Sequence, residues 1–145
     1  MKRFKFNLEK ILRIRKYREE ECKQALGQAI SVLNAIENEI KETALRHYKA
    51  SSERFTNTNE MQSWDIYILR LEQEAAALAN KAAQAELIVE EKREQYLEAS
   101  KDLKAIEKLK EKQIAQYRRE MLNAQMNEVD EITSARLISV MESAE

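Results

Sequence analysis

The chain reads as all-α: a long two-helix antiparallel coiled-coil hairpin with a C-terminal helical overhang. Three observations predict it. The 145 residues include one Gly and no Pro, so the tight turns that sheets depend on lack their usual residues. Lys and Arg number 25 and Asp and Glu 26, a composition suited to long solvated helix faces. Apolar residues recur at alternating spacings of three and four, the period of a coiled-coil seam.

Helix 1 is expected over about residues 7–50. Cys22, Leu26, Ala29, Leu33, Ile36 and Ile40 form its narrow stripe. Asn7 offers a cap, with Phe6 and Ile11 placed to staple the first turn. The stretch of about 51–60, Ser-Ser-Glu-Arg-Phe-Thr-Asn-Thr-Asn-Glu, carries no stripe, and its Ser, Thr and Asn side chains compete for backbone hydrogen bonds. It is the reversal point. Asn59 would cap helix 2, with Gln62 as its capping-box partner.

Helix 2 is expected over about 61–140, its seam running Leu71, Ala75, Leu78, Ala82, Ala85, Val89, Lys92, Tyr96, Ala99, Leu103 and Ile106. A reversal near residue 57 pairs Ile36 with Leu78, Leu33 with Ala82 and Leu12 with Leu103. Everything beyond about residue 110 is then left without an internal partner, although Ile114, Tyr117, Leu122, Met126, Val129 and Ile132 are apolar. That stripe reads as an interface. The whole of 1–145 is expected to be a single coiled-coil domain, a rod with a tail.

The same counts exclude much chemistry. Gly27 alone cannot build a phosphate-cradling loop, and Cys22 and His47 fall short of the ligands of a structural zinc or a di-iron site. No metal or other cofactor is expected. Cys22 and His47 sit far apart on one helix, so no nucleophile–base dyad forms, and the carboxylates are most simply the solvated face, in i, i+4 pairs such as Glu9–Arg13, Glu19–Lys23 and Glu37–Lys41. The chain is read as no enzyme. With a formal charge of −1 it is no partner for nucleic acid, and without an apolar run of membrane-spanning length or a signal peptide it reads as cytoplasmic.

Charge is nonetheless unevenly placed. Lys2, Arg3, Lys5, Lys10, Arg13, Arg15, Lys16 and Arg18 stand against Glu9 in the first 18 residues, whereas the end from Val129 carries Asp130, Glu131, Glu142 and Glu145 against Arg136. The basic start suits a membrane-surface helix, a solvated end whose apolar residues complete the seam, or a dock for an acidic protein; the hairpin pairing favours seam plus dock. Near the reversal gather Tyr48, Phe55, Trp64 and Tyr67, which suit an end plug or an interface hot spot equally. Gly27 inside helix 1 has no reading beyond the close approach of a neighbour.

The string Phe4-x-Phe6-x-Leu8-x-x-Ile11-Leu12-x-x-Arg15 resembles the start of the FliJ proteins, the stalk-like component of the flagellar type III export ATPase complex. Residues 105–117, the stretch Met126-Asn-Glu-Val-Asp-Glu-Ile132 and the Trp64-x-x-Tyr67 start of helix 2 are similar to that family as well. The resemblance implies a non-enzymatic stalk that promotes assembly and activity of the hexameric export ATPase ring. It also implies contact with the cytoplasmic domain of the export gate and with export chaperones, at the cytoplasmic face of the inner membrane with at most peripheral membrane contact. Carried over, the gate-contacting patch falls on Ala44, Tyr48, Tyr67, Leu71 and Ala77, and the ring-facing end on the segment Lys2 to Arg18, with Arg13, Arg15 and Lys16, and on Ile114, Tyr117 and Leu122. The injectisome counterpart of the stalk and a generic scaffold or holdase remain as alternatives.

Overall fold

The computed structural model describes residues 3–144 and consists of two helices, α1 (Glu9–Ser52) and α2 (Thr58–Ser143). No strand occurs among the described residues. Lys2 and Glu145, both part of the charge asymmetry in the sequence, lie outside them.

Each helix end has its own local cause. The Leu8 carbonyl accepts the first helical bond of α1 from Leu12 N–H at 2.9 Å, so Leu8 stands at the cap position in place of the expected Asn7. Phe6 does not staple to Ile11: it is buried with Leu12 and Ile106, and Ile11 faces outward. Ser51 and Ser52 close the other end by donating to the carbonyls of His47 and Lys49. The cap of α2 is Asn57 rather than Asn59. Its Oδ1 accepts from Asn59 N–H at 3.0 Å and its carbonyl from Met61 N–H, which starts α2 three positions before the expected 61 and moves the N3 position from Gln62 to Glu60.

Contacts cluster into two compact units, each built from both helices: Met1–Lys16 with Lys101–Glu145, and Tyr17–Ser100. In the second unit the six expected seam residues of α1, Cys22 to Ile40, are all half-buried, and Thr43 and Ala50 continue the seam as buried positions. On α2 the seam holds Leu71, Ala85, Val89 and Ala99 buried and Leu78, Ala82, Lys92 and Tyr96 half-buried. Ala75 departs from it and is exposed. An open crevice of about 400 Å³ is lined by residues of both helices, among them Glu39, Thr43, Arg46, Glu74 and Leu78.

In the first unit Phe6, Leu12 and Ile106 form the buried cluster, with Phe4, Leu8 and Leu103 packed against it. Both units are antiparallel. Glu9 meets Lys110 and Arg15 meets Asp102 in one, while His47 meets Glu72 and Ala50 meets Trp64 in the other.

Only the pairing of Ala50 with Trp64 follows the count from residue 57. The other pairs lie three to five residues, up to about one and a half turns, further along α2 than that count places them.

Candidate interaction surfaces

At the reversal, Phe55, Trp64 and Tyr67 pack in series, with ring centroids 5.2 Å apart in both pairs. Trp64 Nε1–H donates to the Ala50 carbonyl at 2.7 Å. That carbonyl belongs to the last turn of α1, whose acceptors have no helical partner, so the indole closes one helix with a side chain of the other. Three of the four gathered aromatics therefore form a plug. Tyr48 does not join it and stands 72 % exposed.

The patch carried over by resemblance is divided in the same way. Ala44, Tyr48 and Ala77 are exposed, Tyr67 is half-buried against Trp64, and Leu71 is 2 % exposed within the seam. Exposed Leu45 flanks Tyr48 on α1, and Ile66 and Leu69 are exposed on α2, apolar side chains that the sequence pattern does not single out. His47 is half-buried, its Nε2 3.2 Å from Glu72 Oε1, and belongs to the helix pairing.

The basic start divides by contact as well. Arg15 reaches across α2 and donates to the Asp102 carbonyl at 2.9 Å, Lys10, Arg13 and Lys16 are exposed, and Arg18 has a polar partner. Glu9, expected to pair with Arg13, instead holds Lys110 Nζ at 3.2 Å, and that ammonium lies 5.9 Å from the centroid of the Phe6 ring. Tyr117 packs against Phe4 with ring centroids 5.4 Å apart and the planes tilted by 47°, and Ile114 is half-buried.

The unpartnered overhang thus starts later than residue 110. The short segment ahead of α1 lies along α2 and covers it as far as Tyr117. From Leu122 to Ala144 every residue is exposed, with Leu122, Met126, Val129 and Ile132 at 56–66 %.

Among the described residues no helix is long and apolar enough to cross a membrane, and no group of three or more His, Cys, Asp or Glu is placed to hold a metal ion.

Residues 4–142 match the family model described as the flagellar FliJ protein. No curated protein and no solved structure matches the chain. With nearly its whole length matched, the chain belongs to the FliJ family, whose members are non-enzymatic components of flagellar protein export.

Proposed function

We propose that this member of the FliJ family is the stalk-like coupling factor of its export apparatus. It promotes assembly and activity of the export ATPase ring and links it to the cytoplasmic domain of the export gate and to export chaperones, from the cytoplasm and the periphery of the inner membrane. The observation that carries this reading is the family match over residues 4–142. The separation of the exposed candidates supports it. Ala44, Tyr48 and Ala77 lie in one unit and Arg13, Lys16 and Leu122 in the other, so two partners need not compete for one surface.

Half-burial of Tyr67, Ile114 and Tyr117 and burial of Leu71 make these residues supports for the surfaces, with the exposed side chains as the contacts. The test is a pull-down of the export ATPase and of the gate domain with Tyr48→Ala and, separately, Arg13→Glu with Lys16→Glu. We expect the first variant to lose the gate domain and the second the ATPase. If the unaltered protein changes neither the oligomerisation nor the hydrolysis rate of the ATPase, the coupling role is wrong and a general coiled-coil scaffold or holdase takes its place.

A further inference from the structure

Charge is sorted around the last half of α2. At about 100° per residue, the side of 101–144 within about 60° of the direction opposite buried Ile106 carries seven Lys or Arg, from Lys101 to Arg136, against Glu111 and Asp130. The rest of the circumference reverses the balance, with six Asp or Glu against Lys110 alone. Every residue on the basic side is exposed. Lys104, Lys108 and Lys112 follow one another at i, i+4, where like charges destabilise a helix, and among the described residues no ion pair joins them or Lys101 to a carboxylate.

Beyond Arg119 the same side continues as an apolar row, Leu122, Met126, Val129, Leu137 and Val140, 57–66 % exposed. Thr133 falls in this row, and its hydroxyl donates to the Val129 carbonyl at 2.8 Å, so the polar atom is occupied locally. Lysines and apolar side chains therefore share one face of an unbroken helix over about 60 Å. Glu128, Glu131 and Glu142 lie on the other side.

This combination says what covers the face. A protein interface gathers aromatic and apolar side chains in a core that is poor in Lys, and between Lys101 and Arg119 the face has only Ala115 to offer one. A layer of anionic headgroups needs no such core, because lysines are drawn to it as point charges within a Debye length. The apolar row then suits the boundary between headgroups and acyl chains, and the carboxylates turned to the other side are held away from a like-charged surface.

We propose that this face of α2 lies on a bilayer of anionic phospholipids, its lysines on the headgroups and the row over 122–140 in the boundary beneath them. The inference rests on the peripheral placement proposed above, to which it gives a surface, and not on the coupling to the ATPase. Leu122 is common to this face and to the ring-facing surface, so bilayer and ring exclude one another there.

The test is co-sedimentation of the full chain with vesicles of phosphatidylglycerol and phosphatidylcholine in equal parts, or of phosphatidylcholine alone. We expect binding to the first, weaker at high salt, and none to the second. Lys104→Gln with Lys108→Gln should lower it by about fivefold for each charge, roughly 25-fold together. Lys41→Gln with Lys49→Gln removes the same charge from the other unit and should change it by less than about twofold. Met126→Trp in a Trp64→Phe background should shift its emission to the blue on the anionic vesicles. Stimulation of the export ATPase without lipid should be the same for Lys104→Gln with Lys108→Gln as for the unaltered chain, so the vesicles test this inference and the ATPase tests the coupling role. Equal losses from the two lysine pairs would reduce the attraction to net charge and overturn the proposal. So would unshifted emission from the Met126→Trp chain, or a chain that ignores both kinds of vesicle; retention of the export ATPase that then depended on Lys104 and Lys108 would give the face to an acidic protein.

Discussion

Replacing Gly27 with Ala should stabilise the protein. Gly27 lies in the interior of α1, has no positive φ, and is exposed, and a Cβ built on it meets no heavy atom within 4 Å. The close approach that would explain a glycine at this position is therefore not present in the fold. In a helix interior Gly is less favourable than Ala by about 0.8–1 kcal/mol, partly through the greater freedom it gives the unfolded chain. With nothing to displace, the full amount should appear. For a chain of 145 residues that is a rise of about 2–4 °C in Tm, and in urea a higher midpoint at unchanged slope. Thermal and urea unfolding followed by helical circular dichroism at dilute concentration reads both. An unchanged or lowered Tm would refute the reasoning, because it would mean that another surface closes on Gly27 in solution.

Leu12 is 3 % exposed in the buried cluster with Phe6 and Ile106, so Leu12→Ala should cost about 2–4 kcal/mol in urea unfolding. Leu122→Ala, at 60 % exposure, should stay within about 0.5 kcal/mol in dilute solution; equal losses at the two sites would contradict the boundary drawn for the overhang. Trp64→Phe keeps a ring in the plug but removes the donor to the Ala50 carbonyl, which retains only the longer 3.4 Å approach of Glu53 N–H. The expected loss is about 1 kcal/mol, with faster amide exchange confined to the last turn of α1 and the first turns of α2. A double-mutant cycle with Glu9→Gln and Lys110→Met should return about 0.3–1 kcal/mol at low salt and less at high salt, since both side chains are a third or more exposed; a salt-independent coupling would point to packing on the Phe6 ring.

The seam was the most legible part of the fold because its signal is a spacing. The six expected seam residues of α1, Cys22 to Ile40, are all half-buried, and ten of the eleven expected seam positions of α2 are buried or half-buried. What a spacing does not carry is axial height, and the pairs away from the reversal sit three to five residues further along α2 than the count from residue 57 places them. The stretch 3–8 was illegible for the same reason: its pattern does not reveal that an irregular segment runs along α2 and covers it to Tyr117. At the candidate surfaces, residue type does not give exposure. Phe55, Trp64 and Tyr67 were as suited to a hot spot as to a plug until Trp64 was found donating to Ala50. Leu71 held two roles, seam by spacing and contact by resemblance, and burial places its side chain in the seam.

The overhang makes sense only as part of a longer helix. As an isolated segment it would have to nucleate its own helix, and the first turn fixes several dihedrals for one hydrogen bond. α2 removes that step: it is already formed where it pairs with α1, so the residues beyond Met121 need only propagate it. The apolar row is then aligned before any partner arrives, and association costs less in backbone order than it would for a segment that folds on binding. Side-chain ordering still has to be met, and Leu loses less there than Met, Lys or Glu. A breaker placed at the junction should separate alignment from composition. Ala124→Pro leaves every apolar side chain of the row unchanged and spares the covered residues up to Tyr117, so it should weaken whatever binds the overhang while leaving the Leu12 cluster as stable as before.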